Sequence, residues 1–101
     1  MLYQIAVPSP IDDVEELRVL EWHSAPGESF AAGDMVVELE THKAVVEVRA
    51  ARAGVMRAIL APAGDWQQLG RPLAIVSDGP DEPLPASADE LAPMLVEFEV
   101  T

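Results

Sequence analysis

Apolar and polar residues alternate with a period of two along much of the chain, and before residue 80 no stretch keeps apolar residues at helical spacing. The alternation is clearest in residues 35–40 and 44–49, two β-branched runs joined across residues 41–43. This arrangement predicts a β-hairpin. Its apolar positions are predicted to face the core and its glutamates to face water, with Val37, Leu39, Val46 and Val48 on one side and Glu38 and Glu47 on the other.

The remaining alternating stretches predict four further strands, each bounded by proline or glycine turns. They cover residues 2–7, 16–23, 54–60 and 73–76, and Leu17, Val19 and Trp22 are predicted to line one face of the second of these. The chain has 101 residues. This length predicts one domain whose core must be built economically, and the strand pattern predicts that it is all-β.

Part of the sequence repeats at an offset of 37 residues, where residues 26–36 align with residues 63–73. Gly27 aligns with Gly64, and Gly33 aligns with Gly70, which indicates that one positive-φ turn is built twice. Phe30 and Trp66, one position apart in the repeat, are both predicted to anchor their loops on the core. Two equivalent halves predict a β-sandwich or flattened barrel with pseudo-twofold symmetry, because neither half can bury its apolar face alone. The lysine hairpin and the chain termini are then expected at opposite ends.

Composition excludes several classes of function. The chain has no cysteine, which excludes disulfides and thiolate metal sites, and with only two histidines we predict no metal site. Its formal charge of −12 disfavours binding to nucleic acid or to an anionic membrane surface. The N-terminus lacks the pattern of a signal peptide, and the apolar runs are too short to span a membrane. The absence of cysteine fits a cytoplasmic location, which we expect.

Lys43 is the only lysine, and five arginines carry the other side-chain positive charge. At an exposed hairpin tip it lacks the buried apolar or cationic site that a nucleophilic lysine needs. The serines show no catalytic-triad context. We therefore predict that the chain has no catalytic activity of its own and that Lys43 is the substrate of a modifying enzyme. An ordinary solvated turn lysine is the alternative.

The order and spacing of several motifs over residues 1–79 resemble the lipoyl domains of 2-oxo acid dehydrogenase acyltransferases, within the biotinyl/lipoyl-attachment family. The resemblance rests on residues 19–22, 26–28, 32–34, 37–48, 53–55 and 70–75. It implies a flattened barrel of two mainly four-stranded antiparallel sheets. It also implies that Lys43 carries lipoate in amide linkage, with recognition by the surrounding hairpin residues Glu40, Thr41, His42 and Ala44. The family commonly has Asp where this chain has His42, which puts partner specificity and ligation efficiency in question.

The resemblance further implies four kinds of partner. These are a lipoate ligase or octanoyl/lipoyl transferase, a thiamine-dependent 2-oxo acid decarboxylase, an acyltransferase core and dihydrolipoamide dehydrogenase. The chain would shuttle acyl groups between them in a 2-oxo acid or acetoin dehydrogenase complex. A biotin carrier is one alternative, although its lysine is typically flanked by Met on both sides. An unmodified adaptor with this fold is another, and such domains usually lack the hairpin lysine.

Residues 80–101 form a proline-rich acidic tail that resembles the linker after a lipoyl domain, yet residues 94–101 return to strand-like alternation. The tail is the end of a free-standing carrier, a strand that pairs with its own or a neighbouring sheet, or the edge of a longer acyltransferase. We expect the first, because the chain starts at Met and ends on a strand pattern. An exposed edge formed by Leu95, Val96, Phe98 and Val100 of this strand would favour dimerisation. The loop before Leu17, with Asp12, Asp13, Glu15 and Glu16, is the predicted surface toward the decarboxylase.

Overall fold

The computed structural model describes residues 1–6, 15–79, 83–85, 91–94 and 96–100. These residues form nine strands and no helix. The strands are β1 (Leu2–Ala6), β2 (Glu16–Trp22), β3 (Ser29–Phe30), β4 (Met35–Glu40), β5 (Val45–Ala50), β6 (Gly54–Ile59), β7 (Trp66–Gln68), β8 (Pro72–Ser77) and β9 (Val96–Val100). The expectations for Val7, Asp12, Asp13 and Leu95 lie outside the described residues. None of the described segments forms a helix with the length and hydrophobicity that crossing a bilayer requires.

The strands pair antiparallel in two sheets, in the orders β1-β8-β6-β3 and β7-β2-β4-β5-β9. We call them the first and the second sheet. The predicted all-β fold is confirmed, and the second sheet has five strands because β9, from the tail, pairs with β5. The boundary at residue 79 remains a prediction.

The lysine hairpin has the register that its sequence predicts. In β4 and β5, Leu39 lies opposite Val46 and Val37 opposite Val48, and all four side chains are fully buried. Glu38 lies opposite Glu47 on the other face. Together with Val19 and Leu17 of β2, these residues form most of the core contributed by the second sheet, to which Val36 and Ala50 also belong. The alternation of valine and glutamate therefore determines which face of the hairpin is buried.

The two copies of the repeat form the same turns but place their aromatic residues differently. The glycines have φ values of 92° (Gly27), 91° (Gly33), 98° (Gly64) and 83° (Gly70), which confirms the predicted positive-φ turns. Phe30 is buried with 4 % of its surface exposed, whereas Trp66 is 51 % exposed. The prediction for Trp66 is therefore wrong. Trp66 lies opposite Arg18, whose neighbours Leu17 and Val19 are the residues that face the core.

Residues 91–94 and 96–100 of the tail pack against both sheets. Gln4 of β1 bonds residues 91–94 three times, through Gln4 N to Ala92 O at 3.0 Å, Met94 N to Gln4 O at 2.8 Å and Gln4 Nε2 to Leu91 O at 2.7 Å. The Met94 side chain joins the core, with 4 % exposed. The chain then continues into β9 along β5. Residues 91–94 and 96–100 therefore connect the edge of the first sheet to the edge of the second.

The chain ends lie at different ends of the hairpin. The N-terminal ammonium bonds Asp78 Oδ1 at 2.5 Å, and Arg52, beyond the end of β5, contacts the same carboxylate at 3.8 Å. The N-terminus thus lies away from Lys43, as predicted. The C-terminal strand does not follow that prediction, because antiparallel pairing with β5 places Val100 opposite Val46, at the lysine end.

The hydrogen bond from the N-terminal ammonium lowers the pKa of Asp78. The stability that the ionised Asp78 carboxylate contributes is present at neutral pH and is lost as the pH falls through this lowered pKa.

Candidate functional site

The tip of the β4–β5 hairpin is held in shape by Thr41. Its side chain is buried, with 6 % exposed. The hydroxyl oxygen accepts hydrogen bonds from the backbone N–H groups of Lys43 at 3.0 Å and Ala44 at 2.9 Å, while Thr41 N donates to Ala44 O at 2.8 Å. A threonine hydroxyl that bonds the next backbone groups is a local device for closing a turn. Thr41 therefore fixes the backbone on which Lys43 stands.

Lys43 and His42 are both exposed at this tip, whereas Ala44 is half-buried. Core residues on either side of the tip anchor it, since Leu39 and Val46 are fully buried. A flexible side chain on a rigid, exposed turn can enter the active site of another protein without unfolding its own domain. The arrangement places one side-chain primary amine at an exposed turn.

Glu40, the last residue of β4 before the turn, forms an ion pair with the neighbouring strand β2. Its carboxylate contacts Arg18 Nη2 at 2.8 Å, and the two residues are register partners on β4 and β2. Both side chains are partly exposed, so the pair contributes at most about 1 kcal/mol to stability. Arg18 Nε is buried and has no acceptor within the described residues. The guanidinium is thus held on the outer face of the sheet with part of its hydrogen-bonding capacity unused.

A second cluster of polar side chains lies at the end of β2 and on β4, farther from the turn. His23 Nε2 contacts Glu38 at 2.7 Å and Glu21 at 4.0 Å, and the three side chains hold their ligand atoms within 4.8 Å of one another. The sequence gives no metal motif here, because the three residues come together only when β2 pairs with β4. Since the imidazole already bonds Glu38, we interpret the group as a cross-strand hydrogen bond. The absence of a metal site remains a prediction.

The structure brings together the five hairpin residues that the sequence selects, namely Glu40, Thr41, His42, Lys43 and Ala44. Their individual roles in attachment and recognition remain predictions. Glu15 and Glu16, from the surface expected to face a decarboxylase, are exposed. Sequence reasoning missed the contribution of Arg18 and the exposure of Trp66. Cross-strand register is the signal for both, and the sequence alone does not supply it.

Comparison with known proteins identifies the family. The model of the biotin/lipoyl attachment family, which carries the description "Biotin-requiring enzyme", matches residues 3–76. The dihydrolipoyllysine-residue succinyltransferase components of 2-oxoglutarate dehydrogenase complexes are similar to this chain. The component from Staphylococcus saprophyticus is 37 % identical over 76 residues, which cover 75 % of this chain and 18 % of that protein. The one from Bacillus subtilis is 33 % identical over 79 residues, covering 78 % and 19 %.

A mitochondrial pyruvate dehydrogenase complex protein X component from Chaetomium thermophilum is 32 % identical over 77 residues, covering 75 % of this chain and 17 % of that protein. The chain therefore spans less than a fifth of the length of these relatives. The match includes the whole lysine hairpin, all strands from β2 to β7 and most of β1 and β8. By fold, by the position of its single lysine and by this match, the chain belongs to the biotin/lipoyl attachment family.

Proposed function

We propose that this chain is a carrier domain in which Lys43 bears a lipoyl group in amide linkage. One observation carries the proposal: the sole lysine of the chain stands exposed at the tip of a hairpin whose backbone is fixed by a buried threonine. The similarity to components of 2-oxoglutarate and pyruvate dehydrogenase complexes supports lipoate as the attached group. His42 and Ala44 on either side of Lys43 favour lipoate over biotin, as the resemblance implies.

Attachment needs an activated acyl group supplied by a ligase or transferase. The lysine nitrogen adds to the acyl carbon, an amide bond forms, and the activating group and one proton from the nitrogen leave. The residues of this chain contribute position rather than chemistry. Thr41 holds the backbone of the turn, and Glu40 with Arg18 fixes its base. When bound, the lipoyl group supplies a disulfide that becomes reduced as it accepts an acyl group.

The proposed partners follow from this role. They are a lipoate ligase or octanoyl/lipoyl transferase, a thiamine-dependent 2-oxo acid decarboxylase, an acyltransferase core and dihydrolipoamide dehydrogenase. Tethering raises the effective concentration of an acyl group at each successive active site, which is the benefit of a carrier. The domain would have no catalytic activity by itself. A cytoplasmic location is part of the proposal and rests on the cysteine-free composition alone.

Intact mass and peptide mapping test the proposal. The chain is co-expressed with a lipoate ligase and lipoic acid, and in parallel with a biotin ligase and biotin. We expect one lipoyl adduct on Lys43, and none in Lys43→Arg, which keeps the charge but not the acylable amine. His42→Asp, which restores the residue common in the family, serves as a comparison for ligation efficiency. Unmodified chain beside a fully modified control lipoyl domain, or a biotin adduct, would contradict the proposal.

A further inference from the structure

The half-exposed Trp66 lies on the same face of the same sheet as the base of the lysine hairpin. Three register pairs align four strands in one row, with Trp66 on β7 opposite Arg18 on β2, Arg18 opposite Glu40 on β4, and Glu40 opposite Val45 on β5. Directly paired residues of antiparallel strands project to the same side of a sheet. The four side chains thus form a continuous row on the outer face, ending two residues from Lys43. We call it the hairpin row.

Burial confirms which way the row faces. Leu17 and Val19, on either side of Arg18, are buried, whereas the Arg18 side chain is 40 % exposed and the Glu40 side chain 36 %. Trp66 itself is 51 % exposed. Phe98, the other largely exposed aromatic residue, differs because it lies opposite the buried Val48 and so belongs to the core side of the sheet. Trp66 is therefore the exposed aromatic residue on the outer face of the second sheet.

An exposed tryptophan beside an arginine requires an explanation, because these two residue types are strongly enriched among the residues that dominate binding energy in protein interfaces. The left-handed backbone positions of the loop around Trp66 are at Gly64 and Gly70. Arg18 has a buried Nε without an acceptor within the described ranges, and its ion pair with Glu40 is partly open to solvent. The row thus offers an apolar ring together with charged groups of both signs.

The distance between the hairpin row and Lys43 indicates which kind of partner enzyme would contact the row. The enzyme that acylates Lys43 must bring its active site to the lysine nitrogen itself, within one side-chain length of the hairpin tip. A standard interface buries about 800 Å² on each partner, and a disc of that area has a radius of about 16 Å. Strands are spaced about 4.8 Å apart and residues about 3.3 Å apart along a strand, so three strand spacings and the two residues from Val45 to Lys43 place Trp66 roughly 16 Å from the lysine backbone. A standard interface, about 32 Å across, that includes the lysine can therefore include the whole hairpin row. Enzymes that act on the far end of an attached lipoyl group can do so without contacting the domain this close to the lysine.

We propose that the hairpin row, with Trp66 as its apolar anchor, is a docking surface for the enzyme that acylates Lys43. The inference rests on the proposed function and adds to it a surface outside the hairpin. It requires the partner to present an apolar pocket for the indole and a carboxylate or carbonyl near Arg18. The reacting nitrogen is untouched by any change at Trp66, so the row contributes to binding rather than to the chemical step.

Steady-state kinetics of lipoylation by a purified lipoate ligase test this surface. We expect Trp66→Ser to raise KM for the chain about tenfold while kcat stays within about twofold, because truncating an anchor residue weakens docking alone. Trp66→Phe, which keeps an aromatic ring, should recover most of the loss. Leu60→Ser is the matched control, since Leu60 is 44 % exposed and follows β6 of the other sheet. It should leave both constants unchanged.

A binding measurement without turnover separates docking from catalysis. In the absence of lipoic acid, the ligase should shift the tryptophan emission of the wild-type chain to shorter wavelength. Trp66→Phe should show no shift, because the remaining Trp22 is half-buried and bonds Ala61 O at 2.8 Å. Circular dichroism of each variant establishes that the fold is kept.

The outcomes that overturn the inference are distinct from those that overturn the proposed function. Equal KM for Trp66→Ser and wild type, with both lipoylated, removes the docking surface and leaves the carrier role intact. A lower molar mass of Trp66→Ser than of wild type in sedimentation would assign Trp66 to self-association and also overturns the inference. A wild-type chain that the ligase never modifies overturns both.

Discussion

The two copies of the repeated turn share a backbone and differ in what they bury. In both copies, glycines with φ between 83° and 98° stand at the two ends of the loop, Gly27 and Gly33 in one copy and Gly64 and Gly70 in the other. The first copy leads into β3, where Phe30 packs into the core opposite Gly54. The second leads into β7, where Trp66 lies on the outer face.

The difference arises from one position of register. With the offset of 37 residues, Trp66 corresponds to Ser29, which is exposed, and Phe30 corresponds to Gln67, which lies opposite the buried Leu17. Because side chains alternate between faces, a shift of one residue sends the aromatic ring to the opposite side of the sheet. Glycine spacing thus fixes the turn, while the side-chain position within the strand decides between a core residue and a surface for partners.

Truncating the two aromatic residues separates these roles and should give the largest effect. We expect Phe30→Ala to lower the free energy of unfolding by about 3–5 kcal/mol, because it removes a buried ring and leaves a cavity. Trp66→Ser should change it by no more than about 0.5 kcal/mol, as is usual for surface substitutions. Urea unfolding followed by far-ultraviolet circular dichroism measures both, and a loss at Trp66 as large as that at Phe30 would contradict the assignment of faces.

Gly54 makes the burial of Phe30 possible, and replacing it should give an intermediate effect. A Cβ atom on Gly54 would lie 2.8 Å from Phe30 Cζ and 3.0 Å from the Ser77 carbonyl oxygen. We expect Gly54→Ala to lower the free energy of unfolding by about 1–3 kcal/mol through overpacking. The double variant with Phe30→Ala should lose less than the sum of the single changes, because one of the two clashes is gone. Additive losses would show that the ring does not contact Gly54.

The smallest expected effects concern the turn glycines, whose stability losses can be compared between the two copies of the repeat. Gly27→Ala and Gly64→Ala should each lower the free energy of unfolding by about 1–2 kcal/mol, because an alanine in a left-handed conformation is strained. Neither new methyl group would meet an atom within 4 Å, so backbone strain alone acts at both sites. We expect the two losses to agree within about 0.5 kcal/mol, a difference that paired denaturation curves can measure. A larger difference would mean that the repeat is not energetically equivalent.

The sequence predicted those parts of the fold that local pattern controls. The valine and glutamate alternation gave the correct faces of β4 and β5, and Gly33 and Gly70 gave the turns. The sequence pattern did not predict that Val100 lies opposite Val46, because the pairing partner of a strand depends on contacts between residues far apart in the chain. Thr41 was selected by resemblance, and only the structure shows its two backbone hydrogen bonds. The hairpin row was missed because it requires three registers at once.

The return of β9 to the lysine end has a practical consequence for labelling. Val46 is three residues from Lys43, so a fusion partner or dye attached beyond Val100 begins roughly 10 Å from the attachment site, at about 3.3 Å per residue. At that place an affinity tag obstructs the hairpin, whereas a small fluorophore becomes a reporter of whatever is attached to the lysine. A tag on the N-terminus, beside Asp78, leaves the hairpin open but replaces the ammonium that bonds this carboxylate.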